Sequence, residues 1–301
     1  MHRMTHVATL IAGSGTLDPS AVERARTGLT NAGAPQRLGP DAADIPFSPF
    51  SAESNADQRE LAERLRGLLG AGIDAVVQPA AHRRKRLFLA DMDSTMIAQE
   101  CIDELADFVG MKADVAAITE RAMRGEIAFE PALRERVALL KDLPIKVIDE
   151  VIERHITLTA GGRTLLATMR ANGASTCMVS GGFTLFTGRI AAMIGFDETR
   201  ANTLALDGER LAGLVNEPIF GRDAKRATLI ELRERLNLAK ADTLAIGDGA
   251  NDLDMIAEAG LGVAFHAKPR VAQDAPARID HCDLTALLYV QGYRREQFTE
   301  A

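Results

Sequence analysis

Tryptophan is absent from this chain of 301 residues, and aromatic residues make up only 4% of it. So few rings argue against a surface on which nucleic-acid bases stack. The formal net charge of −7 also argues against nucleic acid as the main partner. Apolar stretches are short, without the run of roughly eighteen residues that a membrane-spanning helix needs. We therefore expect neither a nucleic-acid-binding protein nor a membrane protein.

Cysteine is scarce as well. Cys101, Cys177 and Cys282 are too few and too far apart in sequence for a disulfide framework or a zinc cluster. The first ten residues lack the apolar stretch of a secretory signal peptide. These two absences together predict a cytoplasmic protein.

The rest of the composition is typical of a folded globular protein, with 47% hydrophobic and 26% charged residues. Near the beginning, residues 6–12 form a predicted strand, and a helix follows that Asp18 caps and Pro19 begins. A second helix is predicted at residues 56–69 and a strand at residues 73–78. The proline- and alanine-rich stretch between the helices shows no clear element.

A basic run, His82 to Arg86, follows this first unit. It is either a patch for a polyanion or a solvated linker, and the acidity of the whole chain favours the linker. We therefore predict two domains, residues 1–82 and residues 83–301, with few contacts across the linker.

Beyond the linker, short apolar runs alternate with helical patterns. The runs predict strands at residues 87–90, 175–179, 243–246 and 261–264. Strands alternating with helices predict an α/β fold with a Rossmann-like parallel sheet.

Two segments depart from this alternation. Residues from about 98 to 163 contain only helical patterns, which predicts a small helical cap inserted into the α/β core. Residues 204–215 alternate around Asp207-Gly208, a strong signal for a hairpin.

Acidic residues follow the first strand of this region. Asp91 and Asp93 come directly after residues 87–90, and ligands of open α/β sheets bind at the carboxyl ends of strands. Two carboxylates there are costly unless a cation balances them, and oxygen ligands suit Mg²⁺. The alternative is an aspartate-rich turn that caps the next helix.

A second acidic strand end contains Asp248, Asn251 and Asp252 in the run Gly247 to Asp252. Its glycines permit a tight turn, so a turn with a helix cap is the alternative interpretation. Two such ends in one sheet can together complete a metal site.

Two further features suit an anion. Ser180-Gly181-Gly182 offers a hydroxyl and backbone N–H groups between a strand and a helix. Lys225 lies in the first turn of a predicted helix, where its charge opposes the helix dipole. It is either a solvated surface residue or a ligand of an anion.

The order of these motifs resembles the haloacid dehalogenase superfamily, over residues 87–288. Finer details resemble its phosphoserine phosphatases: D-M-D-S-T followed by Glu100, M-R-G from Met123, Phe129, Arg136, and V-S-G-G-F from Val179. The helical insertion is similar to the small cap domain of that family.

The resemblance implies a role for each matching residue. Asp91 would be the nucleophile and Asp93 the general acid and base. Mg²⁺ would be held by the Asp91 carboxylate, the Asp93 backbone carbonyl and the Asp248 carboxylate, with Asp252 as an outer partner. The residues implied for substrate phosphate and orientation are Ser180, Gly181, Lys225 and Asn251.

In the cap, the resemblance assigns Arg136 to the substrate carboxylate and Glu100 to its ammonium group. Met123 and Phe129 would be apolar walls. The alternatives are an arginine that snorkels, an acid that favours the helix dipole, and ordinary core residues.

The implied activity is Mg²⁺-dependent hydrolysis of O-phospho-L-serine, the last step of L-serine biosynthesis, with no nucleic-acid or membrane partner. A different phosphomonoester such as phosphohomoserine, phosphotransfer to an alcohol, and a serine-sensing protein with an inactive site are the alternatives. The N-terminal unit resembles a degenerate ACT-like domain of α+β type, which raises a homodimer as an expectation.

Overall fold

The computed structural model describes residues 4–49, 55–123 and 126–300, without the side chains of residues 55–57, 120, 122 and 123. Within these ranges no helix is long and apolar enough to cross a membrane. The chain folds into an N-terminal unit with its own antiparallel sheet, followed by an α/β core that carries a helical insertion.

The N-terminal unit has the order βαββαβ. Its elements are β1 (His6–Ala12), α1 (Pro19–Thr27), β2 (Gln36–Arg37), β3 (Ala42–Phe47), α2 (Asn55–Leu69) and β4 (Ile73–Pro79). The sheet order is β2-β3-β1-β4 with antiparallel pairing throughout, the connectivity of a ferredoxin-like unit. As predicted, Asp18 caps α1, since its side chain accepts a hydrogen bond from the backbone N–H of Ser20 at 2.9 Å. The finer ACT-like assignment stays a prediction.

The stretch without a clear sequence pattern contains β2 and β3. Strand β3 lies inside the sheet, and its residues are buried on both faces, including Asp44. A strand covered on both faces has no alternation of polar and apolar residues. This explains why the pattern of residues 42–47 gave no strand prediction.

The α/β core contains the remaining strands. They are β5 (Leu87–Ala90), β6 (Ser175–Phe183), β7 (Glu198–Asn202), β8 (Leu204–Asp207), β9 (Arg210–Val215), β10 (Thr243–Gly247), β11 (Leu261–Phe265) and β12 (Ala277–Ile279). Six of them form one parallel sheet in the order β12-β11-β10-β5-β6-β7. The predicted Rossmann-like sheet is confirmed, and β5 lies next to β10 inside it.

The helices of the core and its insertion follow the predicted alternation. They are α3 (Cys101–Phe108), α4 (Lys112–Met123), α5 (Phe129–Ala138), α6 (Lys146–His155), α7 (Gly162–Ala171), α8 (Thr184–Ile194), α9 (Arg222–Arg235), α10 (Leu253–Glu258), α11 (Pro269–Asp274) and α12 (Ala286–Val290). Helices α3 to α6 form the cap. In the described part of residues 98–163 no strand occurs, as the sequence predicts.

The predicted hairpin is formed by β8 and β9, with Asp207 paired to Arg210. It supports the cap through the backbone: Leu211 donates to Leu143, and Asp142 donates to Leu211, each at 2.9 Å. The hairpin is therefore hydrogen-bonded to the cap and is not part of the parallel sheet.

The interpretation of the basic run as a solvated linker is wrong for Arg83 and Lys85, whereas His82, Arg84 and Arg86 are exposed. The Arg83 side chain is only 15% exposed, and its guanidinium binds both oxygens of Asp44 at 2.7 and 3.0 Å. The same side chain donates to the carbonyl of Val290, and Lys85 is buried with its Nζ on the carbonyl of Ala241 at 2.7 Å. Arg83 thus bridges the two parts of the chain, because it binds Asp44 of the N-terminal unit and Val290 of the core.

The packing between the two parts is apolar as well as polar. Ile11 and Val76 from the sheet of the N-terminal unit belong to the same buried cluster as Leu287 and Tyr289 of α12. The sheet therefore has two covered faces, one against α1 and α2 and the other against the α/β core. The division into two domains stays a prediction, but the expectation of few contacts between them is wrong.

Asp74 of β4 holds the chain that follows β12. Its carboxylate accepts three consecutive backbone N–H groups, from Asp280, His281 and Cys282, at 2.9 to 3.0 Å. The Asp74 side chain is fully buried. A buried carboxylate needs such donors, and the donors would be unpaired without it.

We therefore expect Asp74→Ala to lower the free energy of unfolding by about 2–5 kcal/mol, because buried N–H groups lose their acceptor. Asp107→Ala is the control, since Asp107 makes an exposed ion pair with Lys112 that is worth at most about 1 kcal/mol. Urea unfolding of both variants measures the difference. Equal stability of the two variants would show that Asp74 does not hold the C-terminal segment.

Candidate functional site

The two acidic strand ends meet, as predicted. Strands β5 and β10 are parallel neighbours, with Ala90 opposite Ile246. The residue after β5 stays in this register, since the backbone N–H of Asp91 donates to the carbonyl of Ile246 at 3.0 Å. The side chains of Asp91 and Asp248 thus leave the same edge of the sheet, where ligands of open α/β folds bind.

A cluster of three carboxylates lies at this edge. One oxygen from each of Asp91, Asp248 and Asp252 lies within 4.8 Å of the others, and all three residues are buried. Lys225, fully buried, reaches into the cluster from α9. Its Nζ donates to Asp91 at 2.6 Å and to Asp252 at 2.7 Å. Of the two interpretations of Lys225, the solvated one is wrong.

The pKa values in the cluster show its electrostatic imbalance. Burial raises the pKa of Asp91 well above its usual range, the charge of Asp252 raises it further, and Lys225 opposes the shift. Burial also raises the pKa of Asp248 to about 6. Although burial alone would lower the pKa of Lys225, the carboxylates of Asp252 and Asp91 raise it, so the lysine is a cation.

With all three carboxylates ionised, the cluster and the ammonium group of Lys225 would together carry a charge of −2 in a small volume. The oxygen donors and this charge fit a hard divalent cation, which would remove the like-charge crowding. The second oxygen of Asp252 accepts the backbone N–H of Gly249 at 3.1 Å. The outer position that the resemblance implied for Asp252 stays a prediction.

Asp93 lies beside the cluster rather than in it. Its Oδ1 accepts the backbone N–H of Cys101 at 2.9 Å, and its Oδ2 accepts the hydroxyl of Ser180 at 3.3 Å. Burial and the charge of Glu100 raise the pKa of Asp93 to about 6. The carboxyl group is thus held in place and protonates more easily than an ordinary aspartate.

Ser180, Gly181 and Gly182, called here the Ser180 loop, form the irregular last part of β6, whereas the sequence predicted the strand to end at residue 179. Strand β6 lies next to β5 in the sheet. Ser180 is fully buried, and its Oγ accepts the backbone N–H of Gly182 at 2.8 Å. A Cβ added at Gly182 would lie 3.0 Å from the Asp93 carboxylate and from Ser180 Oγ. The loop is therefore packed closely around Asp93, which explains the glycine. Asn251 lies nearby, since a Cβ at Gly181 would be 4.0 Å from its Nδ2.

The cap contributes Phe129 to this edge. A Cβ added at Gly181 would lie 3.5 Å from the Phe129 ring, and one at Gly221 would lie 3.4 Å from it. The ring therefore lies across both glycines and remains 38% exposed. Phe129 thus lies at this edge of the sheet, and its role as an apolar wall of the site stays a prediction. Met123 ends α4, but its side chain lies outside the described residues, as do Arg124 and Gly125 of the same motif.

Arg136 and Glu100 are the charged groups of the cap near the site. Arg136 is half-buried, with Nη1 on the hydroxyl of Thr119 at 3.4 Å and Nε on a carbonyl of its own helix. Burial lowers its pKa, and Asp103 and Glu100 oppose that shift. Among the described side chains no carboxylate lies within 4.0 Å of its guanidinium. Arg136 is thus a half-buried cation without an ion-pair partner among the described side chains.

Glu100 is held by a residue of the same motif as Asp91. The hydroxyl of Ser94 donates to Glu100 Oε1 at 2.7 Å, and Ser94 has a left-handed backbone with φ of 54°. Glu100 lies at the start of α3 without capping it through its side chain. The interpretation of Glu100 as a helix-dipole acid alone is therefore not favoured.

Two residues of the site carry no local sequence signal. Lys268 lies 3.8 Å from Asp248 and opposes the rise of its pKa, and Asn202 bonds to the Ser180 loop. Both come from segments between motifs. Only the topology of the sheet brings them to the site.

Comparison with known proteins agrees with this geometry. The model of the haloacid dehalogenase-like hydrolases matches residues 88–257. A phosphoserine phosphatase from Polaromonas is 46% identical over 208 residues, which are 67% of this chain and 88% of that protein. A probable phosphoserine phosphatase from Schizosaccharomyces pombe is 40% identical over 243 residues, which are 80% of this chain and 81% of that protein.

Solved structures extend the similarity to the fold. A haloacid dehalogenase family hydrolase from Salmonella enterica has a TM-score of 0.83 at 30% identity, over 95% of this chain and 98% of that one. A phospho-aspartyl intermediate analogue of phosphoserine phosphatase has a TM-score of 0.64 at 38% identity, over 68% of this chain and 98% of that one. The chain therefore belongs to the haloacid dehalogenase-like hydrolases and, among them, to the phosphoserine phosphatase family.

Proposed function

We propose that the protein hydrolyses O-phospho-L-serine to L-serine and phosphate with Mg²⁺ as its cofactor. The observation that carries this proposal is the buried cation Lys225 on Asp91, within a carboxylate cluster that fits a divalent ion. Such an arrangement can bind a phosphoryl group and place an oxygen nucleophile next to it. The relatives named phosphoserine phosphatase support the same activity.

In the first step, a carboxylate oxygen of Asp91 attacks phosphorus while the bond from phosphorus to the serine oxygen breaks. Asp93 gives a proton to the departing oxygen. In the second step, Asp93 removes a proton from water, and the water oxygen attacks phosphorus. Phosphate leaves, and the Asp91 carboxylate and the proton on Asp93 are restored. The hydrogen bonds of Asp93 to Cys101 and Ser180 keep its carboxyl group in one orientation.

The phosphoryl oxygens need partners in both steps. Lys225, the hydroxyl of Ser180 and the backbone of Gly181 would hold them, with Asn251 alongside. The Asp91 and Asp248 carboxylates and the Asp93 backbone carbonyl would hold Mg²⁺, which supplies further neutralisation of phosphoryl charge when bound. Asp252 keeps the ammonium group of Lys225 in place.

The cap would bind the amino-acid part of the substrate. Arg136 offers a guanidinium that suits a carboxylate with two hydrogen bonds, and Glu100 offers an acceptor for the ammonium group. Phe129 and Met123 would exclude water above the phosphoryl group. The intact groups from Asp91 to Asp252 do not favour a serine-sensing protein with an inactive site.

Location and assembly stay predictions. All three cysteines are free and buried, which agrees with the sequence expectation of no disulfide.

The metal assignment predicts that Asp248→Asn weakens Mg²⁺ binding, because the amide is a poorer ligand and removes one negative charge. Thermal unfolding at increasing MgCl₂, without substrate, measures the concentration at half of the rise in melting temperature. We expect this MgCl₂ concentration to increase at least 10-fold, because changes around metal ligands typically weaken metal binding by about 10- to 100-fold. Asp207→Asn, in the exposed hairpin turn, is the control. Unchanged Mg²⁺ dependence in Asp248→Asn would remove Asp248 from the metal site.

The substrate assignment predicts that Arg136→Ala lowers kcat/KM for O-phosphoserine by about 10- to 100-fold, because a charge-assisted hydrogen bond is lost. Hydrolysis of O-phosphoethanolamine, which lacks the carboxylate, should change by less than about threefold. Arg154→Ala is the control in the same cap, since Arg154 is 70% exposed. Equal losses on both substrates would mean that Arg136 only supports the fold of the cap.

O-phosphohomoserine tests the rival substrate in the same assay of phosphate release. Its extra methylene group separates the phosphate from the amino-acid end, so we expect a lower kcat/KM than for O-phosphoserine. A higher kcat/KM for O-phosphohomoserine would make homoserine, rather than serine, the main product, and the phosphatase mechanism would still hold.

A further inference from the structure

Asn202 is a buried polar residue near the site that no step above uses. It is the last residue of β7, the edge strand of the core sheet, and is 1% exposed. Its Nδ2 donates to the carbonyl of Gly181 at 2.8 Å and to that of Phe220 at 3.0 Å. Its Oδ1 accepts the backbone N–H of Phe220 at 2.7 Å. One side chain thus joins two separate segments of backbone.

Both segments provide groups for the phosphoryl oxygens. Gly181 belongs to the loop of Ser180. Phe220 and Gly221 lead into α9, and the backbone N–H of Lys225 donates to the carbonyl of Gly221 at 3.1 Å in its first turn. The distance between the Ser180 loop and the turn that carries Lys225 therefore depends on the amide of Asn202.

The backbone pairing of β6 with β7 is interrupted beside this junction. The pairing of β6 with β7 continues to Val179 opposite Arg200, then shifts, and resumes with Phe183 opposite Asn202. The ladder between the strands is therefore interrupted at the Ser180 loop. The hydrogen bond from Asn202 Nδ2 to the Gly181 carbonyl takes the place of the missing backbone pairing there, and the other two bonds of the side chain join Phe220 to the same point. A residue with a merely apolar packing role would leave the Gly181 carbonyl without this partner.

The cap depends on the same distance. The ring of Phe129 lies across Gly181 and Gly221, one glycine from each segment. A change in their separation would therefore alter the surface on which the cap closes.

We propose that Asn202 is a positioning residue, which sets the separation of the Ser180 loop and Lys225 so that both reach one phosphoryl group. This inference rests on the proposed function, because it takes the phosphoryl group as the ligand between them. Asn202 touches neither substrate nor metal in this account and acts through Gly181 and Phe220.

Asn202→Asp tests the proposal with little change in shape. The second carboxylate oxygen would face two carbonyl oxygens in place of the two donated hydrogen bonds, so the segments would separate. We expect kcat/KM for O-phosphoserine to fall about 10- to 100-fold, the range that a small misplacement of reacting groups causes. We also expect the dissociation constant of inorganic phosphate, measured by calorimetry with Mg²⁺, to rise about tenfold or more.

Thr176→Val is the matched control on the same pair of strands. Thr176 is also 1% exposed, and its hydroxyl bonds to Asp197 at 2.9 Å at the opposite end of β6. This variant should lose stability but keep phosphate binding within about twofold of wild type. Unchanged phosphate binding in folded Asn202→Asp would overturn the proposal.

Asn202→Ser, which keeps one donor in a smaller side chain, provides a second variant if the aspartate variant does not fold. Weaker phosphate binding in this variant supports the proposal. If neither variant folds while Thr176→Val does, Asn202 is structural and the proposal is wrong. The wild type separates the two claims: without hydrolysis of O-phosphoserine the proposed function fails, whereas calorimetry with phosphate still tests Asn202.

Discussion

The pairing of a fully buried lysine with two carboxylates is the interaction on which the rest of the site depends. Each charge costs several kcal/mol to bury, so Lys225, Asp91 and Asp252 can stay ionised only while they remain in contact. The contact needs β5, β10 and the first turn of α9 to keep their relative positions. With Asp248 added and all three carboxylates ionised, the cluster would have a charge of −2, which a divalent cation would balance.

The remainder of the fold restricts movement around that cluster. Asn202 connects the Ser180 loop to the chain before α9, and the hairpin of β8 and β9 supports the cap through backbone hydrogen bonds. At the other edge of the core sheet, the Asp74 carboxylate accepts the three backbone N–H groups that follow β12. The N-terminal unit thus packs on α12 through a shared apolar core and supports the α/β core. Its packing gives it a structural role whether or not it also binds a regulator.

Sequence patterns predicted what depends on local order: the strands that precede Asp91 and Asp248, the helical cap and the hairpin at Asp207. They failed where contacts distant in sequence decide the environment. Arg83 looked like a linker residue because its partner Asp44 is 39 residues away, and β3 showed no alternation because both of its faces are covered. Lys225 looked unfavourable at a helix start, since its two carboxylates come from other strand ends. Asn202 has no motif, because only the sheet brings Gly181 and Phe220 to it.

The central claim is that Asp91 forms the covalent bond to phosphorus. Rapid mixing of the protein with O-phosphoserine and Mg²⁺, followed by acid quenching and borohydride reduction, converts an aspartyl-phosphate into homoserine at that position. Peptide mass spectrometry then locates the change. The account predicts homoserine at residue 91 alone, and only when O-phosphoserine is present. Hydrolysis of O-phosphoserine with an unchanged Asp91, or with the label at Asp93, Asp248 or Asp252, would contradict it.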